Sequence, residues 1–108
     1  MPRPILSPQE LKLGRIRRGL ASRGVEPFPL SLELVIALGA AVELADVDAV
    51  KAGLRYLAEQ IVIYTERLDI APDQSKESLL TRVQYVAVSE LEEHLGERFT
   101  LIKSEVLG

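Results

Sequence analysis

Between Val47 and Leu68, apolar residues recur at alternating steps of three and four: Val47, Val50, Leu54, Leu57, Ile61, Tyr64 and Leu68. That spacing draws one stripe along a 3.6-residue helix and suits packing against a partner at a shallow crossing angle. A strand, whose faces alternate every second residue, would scatter the same side chains over both faces. A second apolar stripe, Ala49, Tyr56, Ile63 and Ile70, lies about 100° further round the helix. Two stripes need neighbours on two sides, so the segment is predicted to be a bundle helix rather than one strand of an isolated coiled coil. Gly53 and Ala58, beside the seam, are small enough to admit a close neighbour.

The flanking sequence supplies those neighbours. Ser7-Pro8-Gln9-Glu10 has a capping hydroxyl, a proline suited to the first helical position and a carboxylate placed for a capping box. Leu13, Ile16 and Leu20 follow as a narrow stripe to about Ser22, with Gly19 and Gly24 as candidate stops. Pro27 and Pro29 force Val25–Leu30 to be extended. Ser31 caps a segment from Leu32 to Ala45 whose only charges are Glu33 and Glu43. Its apolar residues point in nearly every direction, which predicts a central helix buried all round.

Asp46 can cap a new helix, with Asp48 in its first turn. No glycine or proline enforces a break, so one helix from Ser31 to Leu68 is the alternative. The change of apolar register at Asp46 favours two. Pro72 ends the heptad helix and Asp73 or Ser75 opens another, whose apolar residues from Leu79 to Leu95 would cover the central one. Gly96 is a well-placed stop. In the remainder, Phe99, Leu101 and Lys103 alternate with Thr100, Ile102 and Ser104. This fits a short strand paired with another subunit, or an irregular or helical tail.

The predicted fold is therefore all-α: a flexible arm over residues 1–7, then a single domain, 8–108, of about four helices. With 108 residues and five aromatics (Phe28, Phe99, Tyr56, Tyr64 and Tyr85), its core must be aliphatic and modest in size, and oligomerisation is expected to complete it. The chain has no cysteine, which removes disulfides and thiolate chemistry. Its longest uncharged apolar run, between Glu33 and Glu43, is about half the ~20 residues of a membrane span. No secretory h-region follows Met1-Pro2-Arg3-Pro4. A cytoplasmic protein without membrane contact is the expectation.

Charge is segregated. Residues 1–24 hold six basic residues against one acidic, a net of +5, while residues 25–108 hold 7 against 15, a net of −8. Arg15, Arg17, Arg18 and Arg23 are the candidate partner-binding residues. The basic segment can dock on the acidic body of a neighbouring subunit or another protein, bind nucleic-acid phosphates, or solvate a helix face. Nucleic acid is the less favoured partner, because no aromatic residue is interleaved for base stacking before Phe28 and no short helix-turn-helix connection is present.

Catalytic groupings are not legible. His94, the single histidine, shares a helix face with Glu90. Glu33, Glu43, Glu59 and Glu66 could add carboxylates, but nothing orders them into a metal site, and a solvated histidine near a helix end is the simpler reading. Ser22, Ser75, Ser78, Ser89 and Ser104 lie in no nucleophile elbow. Neither a phosphate-binding loop nor a dinucleotide fingerprint occurs, and Leu38-Gly39-Ala40-Ala41 reads as a close helix crossing. The expectation is a non-enzymatic, cofactor-free and metal-free structural or adaptor protein. It would act through helix packing along Val47–Leu68, with Leu54, Leu57 and Ile61 of the seam as the expected assembly residues and the basic segment on an acidic partner. The alternative is a nucleic-acid-binding accessory protein using residues 1–24.

Overall fold

The computed structural model describes residues 7–68 and 75–107, which form four helices and, among these residues, no strand. Helix α1 spans Pro8–Ser22, α2 Leu32–Glu43, α3 Val47–Glu66 and α4 Lys76–Leu107. Each begins on a side chain that satisfies an otherwise orphaned backbone amide. Ser7 Oγ accepts from the Glu10 amide at 3.2 Å while Glu10 Oε2 accepts from the Ser7 amide at 3.2 Å, completing the capping box. The side chains of Ser31, Asp46 and Ser75 accept from the amides of Leu34, Ala49 and Ser78. Asp73, the other candidate cap for α4, lies outside the described residues, as do Pro72, Ile70 and residues 1–6 of the expected arm.

The α2–α3 junction is broken at Asp46 by a residue that normally resists the required geometry. Ala45 sits at φ 52°, so the chain turns left-handed without a glycine. The Asp46 amide donates to the Ala41 carbonyl at 2.9 Å and the Ala45 amide to that of Val42 at 3.1 Å, the paired bonds of a Schellman motif. Helix α1 closes in the same way through Gly24 at φ 74°, with buried Val25 and Leu20 making the apolar contact that accompanies the motif.

Three of the four helices gather on α4, not on α2. Helix α4 packs against α1, α2 and α3; α2 and α3 also touch one another, and α1 contacts α4 alone. The core is built from Val50, Leu57 and Ile61 of α3, Leu38, Ala41 and Val42 of α2, Leu79, Val83, Val86, Ala87, Leu91 and Phe99 of α4, and Leu20 and Val25 from α1 and its exit. The expected arrangement, with α2 central and 79–95 as cover, is thus inverted. Helix α2 has twelve residues and neighbours on one side only, so its outward half stays open. Helix α4 is long enough to receive all three others.

The heptad seam faces this core. Val50, Leu57 and Ile61 are buried, Leu54, Tyr64 and Leu68 half-buried, and only Val47, at the helix start, is exposed. Thr65, also buried on α3, donates its hydroxyl to the Ile61 carbonyl at 2.8 Å, which removes the cost of an unpaired polar group. Gly53 is the close-approach point expected beside the seam: a Cβ there would lie 2.5 Å from Leu38 Cδ2.

Residues 97–107 are helical, in place of the short strand expected as one option. Gly96, at φ 78° and ψ −167°, interrupts the helix as a stop should, but the chain resumes helical geometry at once. The bend turns 97–107 back on what precedes it, seating Phe99 in the core. A helix buries that ring and satisfies its own backbone bonds, whereas an isolated strand would leave them open. The resulting molecule is flattened, 44 × 43 × 25 Å. Its 7802 Å² of accessible surface exceeds the roughly 6,000 Å² expected of a monomer of this mass.

Candidate functional site

Among the described residues, two surfaces of this bundle lack partners, and each arises directly from the helix patterns. The first is the outward side of α1. The stripe Leu13, Ile16 and Leu20 turns toward α4. At 100° per residue this sends Arg15 and Arg18 to the far side, while Lys12 and Arg17 occupy the two flanks. The flanking cations reach α4: Lys12 Nζ lies 5.0 Å from the centroid of the Tyr85 ring, and Arg17 approaches Glu90 Oε1 at 3.9 Å. Both are half-solvated contacts, each worth about 0.5–1 kcal/mol or less. Arg15, Arg18 and Arg23 are exposed and form no ion pair with any described residue. The four arginines singled out in the sequence are therefore divided, one tied to α4 and three facing solvent.

The second surface is apolar. On α2 and its C-cap, Leu32, Ile36 and Leu44 are 71%, 63% and 79% exposed; on α3, Tyr56 and Ile63 of the second stripe are 51% and 42% exposed. Between the helices run two adjoining hollows of about 430 and 240 Å³ that share Ser31, Leu34 and Tyr56. Phe28, Ala37, Ala49 and Ile63 complete their apolar walls, with Glu33 and Arg67 at the margins. Ala49, Tyr56 and Ile63 of the second stripe thus lie along an open trough, not beneath another of the four described helices.

The trough is held in shape by the extended segment before α2. The Phe28 ring meets Tyr64 edge-on, with centroids 5.4 Å apart and an interplanar angle of 84°. The Tyr64 hydroxyl donates to the Glu26 carbonyl at 2.5 Å. Burial, and secondarily the Glu26 carboxylate, disfavours the Tyr64 phenolate and raises its pKa above the ordinary 10.0.

A third hollow, about 580 Å³, opens between the start of α1 and the bend of α4. Glu10, Glu92, Glu93 and Glu97 line it together with Lys103, and three of these five groups are already engaged. Glu10 closes the α1 capping box, and the Glu92 carboxylate accepts from Thr100 Oγ1 at 3.1 Å and from Lys103 Nζ at 2.6 Å. His94 is exposed and Glu90 turns to Arg17, so the carboxylate–imidazole pair considered in the sequence is not assembled. Among the described residues no three His, Asp or Glu side chains converge on a metal-sized position. The hydroxyls of Ser22, Ser89 and Ser104 donate to carbonyls three or four residues back in their own helices, and that of Ser75 caps α4. No helix among the described residues is long and apolar enough to cross a membrane.

Sequence reasoning missed the exposure of Leu32, Ile36 and Leu44, the Tyr64–Glu26 anchor and the fold-back at Gly96. The first had a signal: a helix apolar on all sides needs more neighbours than three other helices can supply. The anchor joins residues 38 apart and left none. No family model, curated protein or solved structure matches this chain.

Proposed function

We propose that the protein is a non-enzymatic assembly or adaptor subunit that associates with further copies of itself through the α2/α3 face. The observation that carries this reading is the open trough between α2 and α3, along which Tyr56 and Ile63 stand exposed. Contiguous exposed apolar surface on a folded domain marks an interaction site. A second copy is the occupant the chain itself favours. A standard interface takes about 800 Å² from each partner, which the accessible surface in excess of a monomer's, on the order of 1,800 Å² per chain, more than covers. The opposed charges of residues 1–24 and 25–108 also provide attraction between copies.

In this reading Arg15, Arg18 and Arg23 engage the acidic body of a neighbouring subunit. The seam residues Val50, Leu57 and Ile61 stabilise each subunit from within and take no part in the contact. An immobilised copy of the chain should retain free chain. Retention should be lost with Ile36→Glu or Ile63→Glu and weakened by salt or by Arg15/Arg18/Arg23→Ala. Retention of duplex or single-stranded DNA in place of chain, lost in the same arginine variant, would favour the nucleic-acid reading instead.

A further inference from the structure

We propose that residues 97–107 are an exchangeable arm, folded onto their own chain when Gly96 is bent and docked on a second copy when α4 straightens. This is independent of the α2/α3 face and rests on the construction of the bend. The hinge is one residue with no loop around it: both sides of Gly96 are helical. Its dihedrals, φ 78° and ψ −167°, fall in a region that glycine alone occupies. A Cβ at this position would meet nothing within 4 Å, so the backbone conformation, not lack of space, requires glycine.

The arm's contacts are specific and transferable. In a straight helix, residues 92 and 103 would be about 16 Å apart along the axis. Here Lys103 Nζ is 2.6 Å from Glu92 Oε1, and Thr100 donates to the other oxygen of the same carboxylate. Phe99 is wholly buried and Ile102 packs at the edge of the core. A second copy's arm can make every one of these contacts, because domain exchange reproduces the same interface between chains. The closed and exchanged forms then differ mainly in the backbone at residue 96 and in the entropy of association. Helical dihedrals at Gly96 would make 76–107 one uninterrupted helix of about 48 Å.

The Glu92–Lys103 clasp provides the test. Glu92→Lys and Lys103→Glu are introduced into separate chains, both also carrying Ile63→Glu to disable the α2/α3 face. Each variant alone sets like charges against one another, whether its arm is closed or exchanged with an identical copy. Only an arm of one variant on the body of the other restores opposite charges. After the two are unfolded and refolded together, native mass spectrometry should show heterodimers well in excess of both homodimers. Adding Gly96→Ala to both chains should raise the dimerisation constant about tenfold or more, since alanine resists the bent geometry but not the helical one. If either variant folds poorly alone, recovery of helical circular dichroism on mixing is expected. A mixture that remains monomeric, yields homodimers only, or gains no structure on mixing would overturn arm exchange.

Discussion

The Tyr64 hydroxyl donates its hydrogen bond to the carbonyl of Glu26, 38 residues earlier in the chain, and so ties the extended segment before α2 to the last turns of α3. This tie, with the edge-on Phe28 contact, fixes one wall of the trough. Tyr64→Phe keeps the ring contact and removes the tie. The carbonyl end is solvent-accessible and water can replace the lost donor, so the expected loss is about 0.5–1 kcal/mol by denaturant unfolding.

The same residue gives a pH signature. Its pKa is raised in the folded chain, chiefly by burial, so the folded state holds the phenolic proton more tightly than the unfolded state. The stability this contributes is fully present below the unfolded value near 10 and is lost as pH rises through the folded value. Phenolate absorbance should show one tyrosine titrating above the ordinary 10.0. Tyr64→Phe should abolish that late step; its persistence would assign it to another tyrosine.

Two glycines in helices should respond in opposite directions to alanine. At Gly53 a Cβ would stand 2.5 Å from Leu38 Cδ2 and 3.2 Å from its Cγ, so the buried Leu38 would have to leave its place in the core. Overpacking of about 1–3 kcal/mol should outweigh the gain of about 1 kcal/mol in helix propensity, lowering the melting temperature. At Gly19, where nothing lies within 4 Å, the propensity gain stands alone and Gly19→Ala should raise it.

Ala45→Gly should stabilise the chain. Alanine at φ 52° carries the left-handed penalty of about 1–2 kcal/mol, partly offset by glycine's greater unfolded-state entropy, leaving a net gain of about 0.5–1 kcal/mol. Thermal unfolding measures it. A loss of stability would mean that the Schellman turn between α2 and α3 is not the one described.

The heptad helix, its caps and the break at Asp46 were readable because they are local: a stripe, a capping side chain and a change of register need no knowledge of neighbours. The caps at Ser7, Ser31, Asp46 and Ser75 all follow from residue type and position. What the pattern could not assign is which helix stands at the centre. The apolar surround of α2 predicts burial by its own chain, whereas α4 takes that place and α2 with its C-cap keeps Leu32, Ile36 and Leu44 in solvent. The bend at Gly96 was legible as a stop. Its sequel was not, because a glycine ends a helix equally well before a tail or a fold-back. Of the basic residues, Arg15 and Arg18 could be placed on the outer side of α1 from the helical period. The approach of Arg17 to Glu90 depends on how α1 lies on α4.

Leu57→Ala separates packing from assembly. Leu57 is buried within its own chain, so truncation should cost about 2–5 kcal/mol of stability while leaving subunit association intact in the folded protein. Unchanged stability would contradict its placement in the core.

The most direct test of self-association through the α2/α3 face is molar mass by light scattering across a dilution series, for the natural chain and for Ile63→Glu. The natural chain should show an integral multiple of 11.9 kDa that falls on dilution, and Ile63→Glu, with its arm closed on its own chain, should remain at 11.9 kDa with unchanged helical content. A natural chain that is monomeric throughout, or an Ile63→Glu chain of the same mass as the natural one, would contradict it.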